Sequence, residues 1–163
     1  MFSLGTLRLL TKAEVNAYAQ ITENGYCTTK TLYYPKLTFK ITLSNVAYTQ
    51  KQVGLLDLDE SITEAIIFYH DGGSGNWSAL TRNTAGSTST NTGIPVTTSE
   101  FTMKIDVVRD TMVKFFINGS LVATHTTNIP ATTTELQQSY FVLALNAEAQ
   151  YMDLRKILYQ RGY

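Results

Sequence analysis

The chain has 163 residues, 44% hydrophobic and only 16% charged, so one domain with a sizeable core and a largely uncharged polar surface is expected. Thirteen basic and thirteen acidic residues cancel to a net charge of zero, and with no basic stripe, recognition of a nucleic-acid backbone is excluded. A single cysteine, Cys27, excludes an intramolecular disulfide framework and a cysteine-based zinc cluster.

Met1–Leu10 has apolar residues but no basic leader, long apolar core or small-residue cleavage site. No stretch has the length of a membrane span, so synthesis in a cytoplasm without a standard export signal is expected, and no membrane partner. Thr11–Ala19 contains helix formers but no sustained 3.6-residue stripe. Val15–Ile21 and Gly25–Leu32 are strand candidates. Leu37–Ser44 alternates strictly, with Leu37, Phe39, Ile41 and Leu43 on one face and Thr38, Lys40, Thr42 and Ser44 on the other. Val53–Leu56, Glu64–His70 and Trp77–Asn83 follow, with Asp71–Asn76 a tight Gly/Ser turn. Thr84–Thr98 is rich in Thr, Ser, Asn and Gly and is expected as an extended loop or mobile edge strand.

Phe101–Val107 repeats the alternation, and Val113–Ile117 forms the next strand. Asn118-Gly119 supplies the two φ > 0 residues that a type I′ turn requires, so Ser120–Thr126 returns antiparallel. Thr126–Gln138 is expected to cross between sheets, and Tyr140–Asn146 and Met152–Tyr159 close the pattern. Many strands without crossover helices imply an all-β, two-sheet antiparallel sandwich spanning residues 1–163. Threonine, present 25 times, suits such half-exposed pleated surfaces.

The runs Phe101–Val107 and Val113–Pro130, with Leu37–Ser44, Val53-Gly-Leu-Leu-Asp57, Ala65–Tyr69 and Gly75-Asn-Trp77, resemble the concanavalin A-like lectin/glucanase superfamily, including its laminin-G-like members. The resemblance covers roughly residues 25–160 and implies a jelly-roll sandwich with one concave sheet. The wording of Phe116–Pro130 is similar to domains of bacteriophage and other viral structural proteins, which implies a virion-surface, tail or capsid-decoration role.

Asp57-Leu-Asp59-Glu60 is the one carboxylate cluster. Its spacing suits a metal or a glycosidase pair only superficially, because it sits where a strand gives way to a loop. The glucanases of the resembled superfamily carry alternating carboxylates on a central strand, and this chain departs from that pattern, so catalysis is not expected. His70 and His125 lack ligand spacing, so no metal and no cofactor are expected. Exposed tyrosine and tryptophan stack on sugars and anchor interfaces. Tyr33, Tyr34, Tyr69, His70 and Trp77 are therefore the candidate ligand-binding residues, Trp77 having a core or rim position as its alternative.

The leading expectation is a non-enzymatic virion structural protein acting through contacts with other virion proteins or with itself, as a homo-oligomer or lattice. The alternatives are a carbohydrate-binding module or lectin, then a hydrolase-like domain. The chain ends, Met1–Lys12 and Leu154–Tyr163, carry the candidate assembly contacts Phe2, Leu4, Leu7, Tyr159 and Tyr163, or else pair as terminal strands within the domain.

Overall fold

The structure, a computed structural model, describes residues 6–22, 29–57, 63–73, 75–109 and 111–161. Twelve strands appear in these segments: β1 Leu7–Leu10, β2 Tyr18–Thr22, β3 Lys36–Leu43, β4 Thr49–Asp57, β5 Ala65–His70, β6 Asn76–Asn83, β7 Gly86–Pro95, β8 Phe101–Val107, β9 Val113–Ile117, β10 Ser120–His125, β11 Leu136–Ala144 and β12 Tyr151–Gln160. They form two six-stranded antiparallel sheets. The first runs β1-β12-β3-β8-β9-β10 and the second β2-β11-β4-β5-β6-β7. The expected sandwich is therefore the fold, and Thr126–Gln138 does carry the chain from the first sheet to the second.

Alternation positions the layers. Leu37, Phe39, Ile41 and Leu43 of β3, Phe101, Met103, Ile105 and Val107 of β8, and Val113, Phe115 and Ile117 of β9 point inward. They meet Val53, Leu55, Ile66, Phe68, Tyr140 and Val142 of the second sheet in one core. Aromatic edges knit the layers, with Phe68 on Phe115 at 5.2 Å and Phe39 on Tyr140 at 5.9 Å between ring centroids. Asn118 and Gly119 take φ 50° and 84°, the hairpin turn that the sequence implies between β9 and β10. Gly54 on β4 sits at φ +150°, and a Cβ there would run into the Ile66 carbonyl oxygen and come 2.9 Å from Ile67 Cα. Only glycine fits that approach of β4 to β5.

Two segments differ from expectation, and a third resolves an alternative. Within Gly25–Leu32, residues 25–28 lie outside the described residues. The remainder is not a strand: Thr29 makes a single bridge to Leu136 and Thr31–Tyr33 form a 3₁₀ turn. Tyr34, at φ 46°, ends that turn just before Pro35. The polar segment Thr84–Thr98, expected as an extended loop or mobile edge strand, contains the edge strand β7, which pairs on one side only, with β6. The strand expected at Val53–Leu56 begins earlier, at Thr49, because Lys51 breaks the apolar pattern yet is buried.

The terminal segments pair with each other: Leu7 stands opposite Leu154 and Arg8 opposite Asp153. Among the described residues, no helix is long and apolar enough to cross a membrane.

Candidate functional site

The two outer faces have opposite chemistry. The first sheet presents Arg8, Lys36, Lys40, Lys104, Lys114 and Arg155, interleaved with Glu100, Asp106 and Asp153. Its acids are held by cations: Arg8 grips Asp153 through two bonds of 2.7 and 2.8 Å, Lys40 meets Glu100 at 2.8 Å, and Lys104 meets Asp106 at 2.8 Å. The Arg8 hydrogen bonds keep Asp153 below the usual carboxylate range, and the Lys40 bond does the same for Glu100.

The second sheet's outer face is almost free of charge. Arg82 is the one charged side chain at its outward strand positions. Instead, a single register row crosses all six strands: Gln20, Phe141, Gln52, Tyr69, Ser78 and Asn91. Neighbouring strands lie about 4.8 Å apart, so Phe141 and Tyr69, two strands apart, stand roughly 10 Å from each other. Tyr18, beside this row, stacks on Phe141 at 6.1 Å and is 67% exposed.

Hydrogen bonds fix the row's polar groups. Tyr69 Oη and Ser89 Oγ lie 3.0 Å apart. Asn91 Oδ1 accepts from Asn76 Nδ2 at 3.0 Å and from Gly93 N at 2.9 Å, which leaves its own Nδ2 as a donor. At this end of the row a pocket of about 160 Å³ is lined by Tyr69, His70, Asp71, Gly75, Asn76, Ser78 and Asn91. It is smaller than a cavity for a drug-sized cofactor and has the polar lining that would orient a hydroxyl-rich ring.

The residues singled out from sequence are scattered. Tyr69 lies in the row, whereas its neighbour His70 turns inward and is only 3% exposed. Trp77 is fully buried, its ring packing on Phe101 and His70, so it has no surface to offer a ligand. It takes the core position that was its alternative, because strand alternation turns it inward beside Ala79. Tyr33 and Tyr34 sit before β3, at the opposite end of the sandwich from Tyr69, with the Arg161 guanidinium 5.2 Å from the Tyr33 ring.

Leu7 is an exposed edge residue of the first sheet, and Tyr159 donates its hydroxyl to Thr29 Oγ1 at 2.6 Å within the chain. Phe2, Leu4 and Tyr163 lie outside the described residues. So do Asp59 and Glu60. Asp57 Oδ2 accepts from Thr63 Oγ1 at 2.6 Å and from Glu64 N at 3.0 Å, which ties it to its own β4–β5 connection.

Gln20, Gln52, Ser78, Asn91, Phe141 and Tyr18 carry no motif. The signal they leave is an outward polar or aromatic residue on each strand. Only the register brings them into one line.

A search of curated proteins gives no relative of this chain. Solved structures share its fold. The catalytic domain of an endo-1,3-beta-glucanase (laminarinase) from Thermotoga petrophila RKU-1 superposes with a TM-score of 0.74 at 13% identity, covering 97% of this chain and 78% of that one. SCLam, a non-specific endo-beta-1,3(4)-glucanase from family GH16, gives a TM-score of 0.74 at 9% identity, covering 97% of this chain and 72% of that one. A sialidase gives 0.68 at 10% identity, covering 96% of this chain and 15% of that one. These identities establish the architecture alone, a concanavalin A-like jelly roll. In sequence, residues 3–150 match the family model described as "SO2946-like, C-terminal domain", and the chain belongs to that family.

Proposed function

We propose that the chain is a non-catalytic module that binds a neutral glycan across the outer face of its second sheet. The observation that carries this reading is the uncharged row Gln20–Phe141–Gln52–Tyr69–Ser78–Asn91, with a polar pocket at one end. Amides and hydroxyls exchange hydrogen bonds with sugar hydroxyls, and the Phe141 and Tyr69 rings offer apolar faces to sugar C–H groups. With Arg82 as the one outward charge on its strands, the face has little electrostatic preference for an acidic polymer.

Glycoside hydrolysis needs two carboxyl groups flanking one bond, roughly 5–9.5 Å apart. The outward strand positions of this sheet hold none, and Asp71 at the pocket rim accepts a bond from Gly73 N at 3.1 Å. The laminarinase-like neighbours favour a glucan as the first ligand to try. Calorimetric titration with soluble laminarin and a broad set of neutral glycans tests the reading. Saturable binding that Tyr69→Ala weakens is expected; no binding across the set, or binding indifferent to Tyr69, overturns it. Release of reducing sugar, abolished by Asp71→Asn, would refute the non-catalytic part. Display of the module on a virion rests on the sequence resemblance alone.

A further inference from the structure

The turn between β5 and β6 supplies Asp71 and Gly75 to the outer pocket, and its two halves are fixed differently. Gly75 is held through its carbonyl, which accepts from Val96 N at 3.0 Å. Gly72, next to Asp71, is held at both polar backbone atoms. Its carbonyl accepts from Tyr48 N at 2.9 Å, and its N–H donates to His70 Nδ1 at 3.2 Å. Gly72 sits at φ +91°, and a Cβ there would run into Leu145 Cδ1 and come 3.1 Å from Thr49 N. No side chain can stand in for those backbone bonds.

The same imidazole nitrogen faces a second partner, the Thr49 carbonyl oxygen at 3.4 Å. A backbone N–H can only donate and a carbonyl can only accept. His70 Nδ1 therefore serves Gly72 when it is bare and Thr49 when it carries a proton, never both. Among the described residues, the charged groups that act on the ring are Lys51, opposite it on β4, and Asp71 on its own turn. Trp77 on β6 brings an uncharged ring, 6.3 Å away between centroids. Burial first, and the Lys51 charge second, disfavour the imidazolium. Backbone bonds to Thr49 and Gly73 and the Asp71 charge offset them only in part. The neutral ring thus holds Gly72 at neutral pH, and protonation waits for a pH below 6.5, the ordinary histidine value.

We propose that His70 is an acid-release latch for the outer pocket. A proton taken from solvent at Nδ1 exchanges the Gly72 N–H for the Thr49 carbonyl as the ring's partner. The Gly72 N–H then loses its acceptor, and the Asp71 half of the turn loses one of its two ties to the sheet, while the Val96 bond keeps Gly75 in place. A ligand seated against Asp71 is weakened as a result. What is released rests on the glycan reading of the outer row; the latch itself does not.

Two readouts keep the latch and the glycan reading apart. In amide proton–nitrogen spectra of the free protein, taken from pH 7.5 to pH 5 with the fold intact by circular dichroism, the Gly72 amide should shift in step with the His70 ring signals. The Val96 amide, at the other half of the turn, should not follow them. Calorimetric titration with laminarin, or with the best-bound neutral glycan, should give a Kd about threefold to tenfold higher at pH 5 than at pH 7.5. His70→Asn places a non-titrating acceptor near the Nδ1 position and should flatten both profiles, whereas His125→Gln should leave both as they are. If His70→Asn does not fold, the wild-type spectra decide. A Gly72 amide indifferent to pH overturns the latch, as does a wild-type pH profile in His70→Asn or a glycan Kd that ignores the Gly72 transition. Absence of glycan binding at both pH values sinks the glycan reading instead, and the Gly72 amide still decides the latch.

Discussion

His125 on β10 and Thr81 on β6 join the two sheets through a 3.0 Å bond between His125 Nδ1 and Thr81 Oγ1. The Thr81 hydroxyl lies 3.0 Å from the Thr127 carbonyl, which can only accept, so its single proton goes there. His125 Nδ1 must then be the donor to Thr81. His125 Nε2 is left as an acceptor for Thr90 Oγ1 on β7, at 2.9 Å. Thr88 meets Thr127 at 2.7 Å between hydroxyls, and Asn83 Nδ2 donates to Ile129 O at 3.1 Å. Inward threonines of β6 and β7 thus pin the crossing that leads out of β10. Thr81→Val keeps the shape but strands the His125 donor and leaves the Thr127 carbonyl only the longer 3.5 Å contact from Thr88 Oγ1. A loss of about 1–3 kcal/mol is expected in urea denaturation, against a few tenths for the exposed Thr124→Val.

Burial lowers the pKa of both histidines, with the Lys51 charge adding to the effect at His70. In the unfolded chain each titrates near its ordinary value of about 6.5. Above that pH both states are neutral and stability is intact. As pH falls from 6.5 towards the depressed folded value, the unfolded chain takes up protons that the native state refuses. Stability should then drop by up to about 1.4 kcal/mol per pH unit for each histidine. Chemical denaturation between pH 7.5 and 5 checks this. His125→Gln should flatten the profile, and a profile already flat in the wild type would contradict it.

These hydroxyl and imidazole contacts mark where the sequence stops being legible. The alternation in Leu37–Ser44 and Phe101–Val107 and the Asn118-Gly119 turn are local, so β3, β8, β9 and β10 could be read directly. Lys51 looks like an interruption of a strand until its partners on either side, Val142 and His70, show which way it points. The Gln20–Asn91 row joins residues whose neighbours lie as much as 121 positions away, as Gln20 and Phe141 do. No spacing rule reaches across that distance. Trp77 illustrates the converse: its residue type suggested a ligand platform, but side-chain direction decides the matter, and here it faces the core.

Lys51 has the same sign of pH dependence as the histidines, in an alkaline window. Its folded value is near 8, below the usual 10.5. Between those two values the unfolded chain holds a proton that the native chain has released. Stability contributed by this group is therefore fully present above pH 10.5 and is lost as pH falls through that window towards 8. Wild-type stability relative to Lys51→Met should fall by about 1–3 kcal/mol from pH 10 to pH 8. Paired urea titrations of the two proteins give this difference directly, cancelling tyrosine ionisation common to both. A constant gap between them would show that Lys51 keeps an ordinary pKa.

The outer row makes a sharper demand, because it separates binding from stability residue by residue. Gln52 is half-buried in the row and has outward neighbours on both sides, Phe141 and Tyr69. Gln52→Ala should leave stability within about 0.5 kcal/mol and weaken a neutral glycan about threefold to tenfold. Tyr69→Ala removes a ring that also packs on Leu56, Ala65, Ile67 and Leu80, so about 1–2 kcal/mol of stability should go along with at least tenfold in affinity. Trp77→Ala reverses the ratio: its indole is wholly interior, and about 3–5 kcal/mol of stability should be lost. The glycan Kd of whatever fraction stays folded should be unchanged. Calorimetry on all three variants, beside urea denaturation, measures both axes, and equal loss of affinity in Trp77→Ala and Tyr69→Ala would place the glycan somewhere other than this row.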